Sequence, residues 1–237
     1  HCWEKPQRHA LTEVEQESFV QFVSTSPVYS HWMPLFTFLL GTGCRIGETI
    51  GLRWTDCDFE NNEIMINHNV IYRFNENDGC RFRITTPKTN AGKRVVPMLS
   101  EVREALLREL EIQKRLKLKS PIIDGYTNFV FLNREQNLHN PLTINRAIKR
   151  IIRDHNREES TLAKADNRQP LLIRDFSVHN LRHTFCTRFC ENETNLKVIQ
   201  DIMGHSDIST TMNIYAEATA EKKKNSFINL EGKFKIS

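Results

Sequence analysis

The chain has 237 residues, 39% of them hydrophobic, and carries 33 Lys and Arg against 29 Asp and Glu for a formal net charge of +4. That length suits one large domain or two small ones, and that apolar share can bury a core, which excludes a disordered polymer. The longest apolar run, 34–40, is far short of the roughly 20 residues that span a bilayer, and no charged-then-apolar leader precedes it, so the chain reads as neither membrane-spanning nor secreted.

His1 stands where a start methionine would, and a helix signal follows almost at once, which suggests a domain excised from a longer protein. Thr12 with Glu15 three residues later forms a capping-box pattern that opens a first helix carrying Phe19, Val20, Phe22 and Val23. A second helix is predicted from Trp32 to Leu40, interrupted by Gly41 and Gly43, and a third from near Arg45 to near Leu52. The periodicity then switches to short β-like runs at 64–66, 70–72, 82–84 and 95–96, with turn residues at 77–79 and 90–92, which predicts one small antiparallel sheet. Helices return at 100–118, at 142 to about 155, at 178–190, at 195–203 and at 207 to about 215. The apolar segment 129–132 is either a strand or a buried loop. Residues 158–175 read as a long loop with a strand-like end at 171–173, and loops of that length usually carry function or disorder. The fold class is therefore mainly α with a small antiparallel β-sheet, an α+β arrangement.

The six cysteines include no CxxC pair, and Cys186 with Cys190, one helical turn apart, lack the further ligands of a closed zinc site, so reduced thiols and no metal are expected. Cations gather at 88–94, 114–119, 146–153 and 222–224. Each group alone is an ordinary solvated face; together they are the electrostatic footprint of a nucleic-acid binder.

Several residues carry chemistry. Val178, Leu181, Phe185 and Phe189 fall within about 80° of one another on a helical wheel and predict a buried stripe. Arg182 lies on its border and His179 sits three residues earlier. A border arginine wants an anion, either a carboxylate or a phosphate matched to its fork. Arg45 opens the third helix after two glycines, where helix N-termini favour anions, although pairing with Glu48 is as good a reading by spacing. Lys88 lies between two β-like runs, at a predicted basic hairpin tip. Gly204 reads as a helix C-terminal left-handed residue, which puts His205 in a tight turn. Ser206 or Asp207 caps the next helix, whose packed face is predicted to hold Ile208, Met212 and Tyr215.

The ordered set Arg45, Lys88, His179-x-x-Arg182, Gly204-His205 and Tyr215 resembles the catalytic domain of the tyrosine recombinases, or phage-type integrases. The stretches "TGCRIGE", "TTPKTNAGKR", "HNLRHTF" and "MGHSDISTTMNIY" match the family's motifs from about Ala10 to Ala216, with wording most similar to integrases of conjugative transposons. The 90 residues between Lys88 and His179 are long for that pattern. The resemblance implies a catalytic domain over 1–218, a tail over 219–237 that docks on a neighbouring subunit, and an N-terminal core-binding domain outside this chain. It further implies cleavage and rejoining of DNA through a 3′-phosphotyrosine. Tyr215 would be the nucleophile, Arg45 and Arg182 the clamps on the phosphate, Lys88 the acid, His179 the base and His205 a hydrogen-bond donor, with no cofactor and no metal. The implied partners are double-stranded DNA (element ends and target site), a homo-oligomer on DNA in the form of a tetramer, and an accessory excision factor, in the cytoplasm. Two rival readings share part of the set: a type IB topoisomerase, and a non-catalytic DNA-binding regulator that would have no need of Tyr215.

Overall fold

The computed structural model describes residues 9–76, 79–86 and 92–228. Helix α1 (Glu13–Thr25) opens with the capping box: Thr12 Oγ1 accepts from the Glu15 N–H at 3.2 Å, and Glu15 Oε2 accepts from the Thr12 N–H at 2.9 Å. Helix α2 (Met33–Thr42) runs through Gly41 and stops at Gly43, whose φ of +61° is the left-handed C-cap conformation. Helix α3 (Ile46–Gly51) follows, with Arg45 as its N-cap residue.

Five strands come next: β1 (Cys57–Asp58), β2 (Glu63–Ile66), β3 (Asn69–Asn75), β4 (Gly79–Thr85) and β5 (Arg94–Pro97). They form two sheets rather than the single one expected, a three-stranded sheet in the order β1-β2-β5 and a separate antiparallel β3-β4 ribbon. The strands flanking Lys88 therefore belong to different sheets, and the predicted hairpin of those two runs does not form. Lys88 itself lies outside the described residues.

The remaining helices are α4 (Ser100–Leu116), α5 (Pro141–Ala165), α6 (Val178–Asn192), α7 (Leu196–Met203) and α8 (Ile208–Ile228). Phe19, Phe36, Phe38, Phe129 and Ile144 centre the main core, with Phe19 and Phe36 rings 5.2 Å apart and Phe38 and Phe131 rings 5.5 Å apart. Residues 129–132 are buried loop, joined to the rest by isolated bridges.

Three expectations need correction. Helix α5 extends ten residues past the predicted end; most side chains there face solvent, Ala163 is buried, and Asn156 and Glu159 are half-buried against the segment that follows. The supposed loop is thus half helix, and among the described residues its strand-like end pairs with no strand: the Asn156 side chain accepts from the Ile173 N–H at 2.9 Å and donates to the Ile173 carbonyl at 2.8 Å, imitating a β ladder. On α6, Val178 and Leu181 are buried but Phe185 and Phe189 are half-buried, while Thr184, Cys186 and Cys190 take the interior. On α8, Ile208 and Met212 are 38% and 50% exposed; Thr211, Tyr215 and Thr219 share the packed side. Apolar periodicity misplaced that face because the buried position is held by a polar residue, Thr211, whose hydroxyl meets His205 Nδ1.

Cys186, Cys190, Ile199 and Met203 form a second, smaller core where α6, α7 and α8 meet, with Tyr215 packed on its edge. The five described cysteines are free thiols.

Glu15 also receives Arg174 Nε at 2.6 Å and Nη2 at 2.7 Å, which ties α1 to the segment before α6. Burial would raise its carboxyl, but the Arg174 hydrogen bonds and the Thr12 N–H hold it down to about 2. A depressed carboxylate contributes stability above its unfolded value of 4.5 and loses it as pH falls towards 2. Urea unfolding should therefore show Glu15→Gln less stable than the native chain by roughly 1–2 kcal/mol at neutral pH, with the gap closing on acidification through that window.

Candidate active site

Glu48, on α3, gathers the site. Its Oε2 accepts from the Arg45 backbone N–H at 2.8 Å and its Oε1 from Arg45 Nη1 at 2.9 Å. On the other side Arg94, from β5, grips the same carboxylate with both amines, Nη2 to Oε2 at 2.8 Å and Nη1 to Oε1 at 3.1 Å. The Glu48 and Arg94 side chains are each 6% exposed. Burial would raise the Glu48 carboxyl, yet the Arg94 hydrogen bonds and the charges of Arg94 and Arg45 hold it down to about 2.

The arginines then converge on the carbonyl end of α7. Arg94 Nε donates to the Ile202 carbonyl at 2.7 Å, Arg182 Nη2 to Met203 at 2.7 Å and Arg45 Nη2 to Gly204 at 2.8 Å. A helix C-terminus presents unpaired carbonyls and partial negative charge, so it suits cations. Gly204 has φ +61°, and a Cβ there would lie 2.9 Å from Arg94 Nη1, so both the turn and the close approach require glycine.

Arg182 is distinct among the three. Its other amine donates to the Gly43 carbonyl, and among the described residues it makes no ion pair of its own. The expected choice between a carboxylate and a phosphate partner is resolved against the carboxylate: backbone carbonyls hold the fork in place and leave its charge unmatched. Desolvation first and Arg45 second pull its pKa down to about 10. With Arg45, Arg94 and Arg182 against Glu48 alone, three cations less one anion leave a surplus of two positive charges at the centre.

A cavity of about 260 Å³ opens beside these groups, lined by Arg45, His179, Arg182, His183, His205 and Ile214 among others. His205 is buried, with Nδ1 2.9 Å from Thr211 Oγ1, and its backbone pairs reciprocally with Gln200. Burial, then Arg182, Arg45 and Arg94, push its pKa down to about 4 despite the opposing charge of Glu48. His179 is exposed at the rim, and His183, one turn further along α6, joins it. Among the described residues no three His, Cys, Asp or Glu side chains converge as metal ligands.

Four of the six expected residues, Arg45, His179, Arg182 and His205, thus surround one cavity. Tyr215 does not line it. Its neighbour Ile214 lines the cavity, and both Ile214 and Tyr215 pack at the edge of the second core. The sequence reading missed Arg94, His183 and Thr211. Arg94 had a signal, a cation on the inward side of an alternating strand; His183 had only its spacing from His179.

The model of the phage integrase family matches residues 9–222. The chain belongs to the phage integrase family. It is 35% identical over 209 residues to the transposase of transposon Tn916 from Enterococcus faecalis, covering 88% of this chain and 48% of that one. A XerC-like tyrosine recombinase of Caldanaerobacter subterraneus subsp. tengcongensis is 30% identical over 207 residues, 84% of this chain and 49% of the relative. The solved integrase of transposon Tn1549, in complex with transposon right end DNA, superposes with a TM-score of 0.78 at 34% identity, over 96% of this chain and 68% of that one. The expected likeness to transposon integrases and the expected fold are both borne out. The chain spans about half the length of the curated relatives it matches.

In an NMR titration the His205 ring should change protonation near pH 4 rather than at the ordinary 6.5 and stay neutral throughout the neutral range. A midpoint at or above 6.5 would contradict the charge surplus just described.

Proposed function

We propose that this chain is the catalytic domain of a site-specific DNA recombinase that cleaves and rejoins strands through a 3′-phosphotyrosine, serving integration and excision of a mobile element. The observation that carries the reading is Arg182: a guanidinium set by two carbonyls, short of counter-charge, beside a second arginine and a neutral histidine around one open cavity. Such a site is electrostatically incomplete until an anion enters it. A phosphodiester matches, because its two non-bridging oxygens suit two forks and gain charge in the pentacoordinate transition state.

In the proposed step the Tyr215 oxygen bonds to phosphorus and the bond from phosphorus to the 5′ oxygen breaks. The phenol proton passes to His179, and the leaving oxygen takes a proton from Lys88, a role that rests on the resemblance. Arg45 and Arg182 hold the non-bridging oxygens and His205 donates to one of them. The phosphotyrosine conserves bond energy, so attack by another strand's 5′-hydroxyl reverses the step. Ile214 lines the cavity while Tyr215 rests at the edge of the second core, so in this reading Tyr215 enters by a local rearrangement of α8 beyond Thr211, which leaves the bond between Thr211 and His205 in place. The partners in this reading are double-stranded DNA at element ends and target, a homotetramer on DNA in which residues 219–237 dock on a neighbouring subunit, and an accessory excision factor, in the cytoplasm.

The test is adduct trapping with nicked duplexes from candidate element ends. Native chain should give a denaturant-stable protein–DNA adduct and Tyr215→Phe should bind the duplex without one; strand joining by the variant would remove the tyrosine from its role. Arg182→Lys should slow adduct formation by about 10²–10³-fold, because a point charge cannot reproduce the fork. Dependence of exchange on two paired sites separates recombination from topoisomerase-like relaxation.

A further inference from the structure

A neutral imidazole has one N–H, and which nitrogen carries it decides whether His205 can donate a hydrogen bond into the cavity. The buried helical threonines elsewhere use their hydroxyls in one way: Thr42, Thr49, Thr184 and Thr219 each donate to the carbonyl four residues back, at 2.7, 3.1, 2.8 and 2.7 Å. Thr211 is fully buried in a helix too, yet its hydroxyl turns away from that carbonyl and meets His205 Nδ1 at 2.9 Å. A buried hydroxyl hydrogen must be placed somewhere, and among the described residues this ring nitrogen is the acceptor Thr211 has.

We infer that Thr211 is a positioning residue: its hydroxyl donates to Nδ1 of His205, which fixes the proton on Nε2 and presents that N–H to the cavity as a ready donor for a phosphate oxygen. The reciprocal pairing of the His205 backbone with Gln200 holds the ring's base in place, so the threonine sets the tautomer and the ring angle together. Burial, with the surrounding arginines, keeps the ring uncharged, so without Thr211 both tautomers become accessible and the one with an Nδ1 proton turns a lone pair towards an anion. Thr211 also precedes Tyr215 by one turn of α8, so the same bond ties the nucleophile's helix to the ring.

The inference about the reaction rests on the recombinase reading, while the tautomer does not. Long-range nitrogen–proton NMR of the native chain should show a pyridine-like Nδ1 and a pyrrole-like Nε2 at His205; a protonated Nδ1, or an even mixture, overturns the assignment. Thr211→Val, nearly the same shape without the hydroxyl, should mix the tautomers and slow adduct formation at saturating DNA by roughly 10-fold to 100-fold, less than outright loss of a transition-state donor. DNA affinity should be unchanged, and Thr211→Ser should restore both the rate and the native tautomer. Native rates in a folded Thr211→Val chain would remove its role in positioning. Should the native chain form no adduct while the tautomer is as expected, the recombinase reading fails and the hydrogen-bond assignment stands; should Thr211→Val not fold, the native spectrum still decides the tautomer.

Discussion

Everything at the centre of this protein depends on one buried carboxylate. Glu48 is the anion that lets two arginines from separate parts of the fold, Arg45 at the start of α3 and Arg94 on β5, lie within reach of each other. Like charges at that distance repel strongly in a desolvated setting, and a carboxylate between them converts the repulsion into a brace. Through these two side chains the small sheet and the first helices are linked to the carbonyl end of α7, and so to the turn that carries His205.

The brace neutralises only part of the charge it assembles. Arg182 completes the set by donating to carbonyls, which orient a guanidinium without cancelling its charge. Burial comes first and the surplus adds to it in two features: neighbouring cations further lower the pKa of Arg182 and help keep His205 neutral. A preset field of this kind needs no reorganisation when charge develops on a bound phosphate. Helix α8 stands apart, because it meets this centre through the bond between Thr211 and His205 while Tyr215 rests on the second core. The arginine cluster and Tyr215 therefore sit on different parts of the packing, the cluster at the end of α7 and the tyrosine at the edge of the second core.

Local rules were enough for much of the fold. The capping box of α1, the left-handed glycines that end α2 and α7, and the starts of α3 and α6 follow from short-range chemistry and appear where the sequence places them. Errors fell where a side chain substitutes for backbone or where burial serves polarity. Asn156 pairs Ile173 as a strand would, Glu159 accepts from the Leu171 N–H at 2.8 Å to shape the turn after α5, and Thr211 is buried on a face that apolar spacing assigned to Met212.

For the site, motif wording alone named the candidates Arg45, Lys88, His179, Arg182, His205 and Tyr215, because reactive groups and the glycines beside them are tied to short segments. How these residues relate is settled by packing. That Glu48 serves two arginines, that Arg94 belongs to the centre, that Arg182 has carbonyls for partners and that Ile214 rather than Tyr215 faces the cavity are all contacts between distant segments. Charge balance and helix rotation are properties of the packed whole, and no window of sequence contains them.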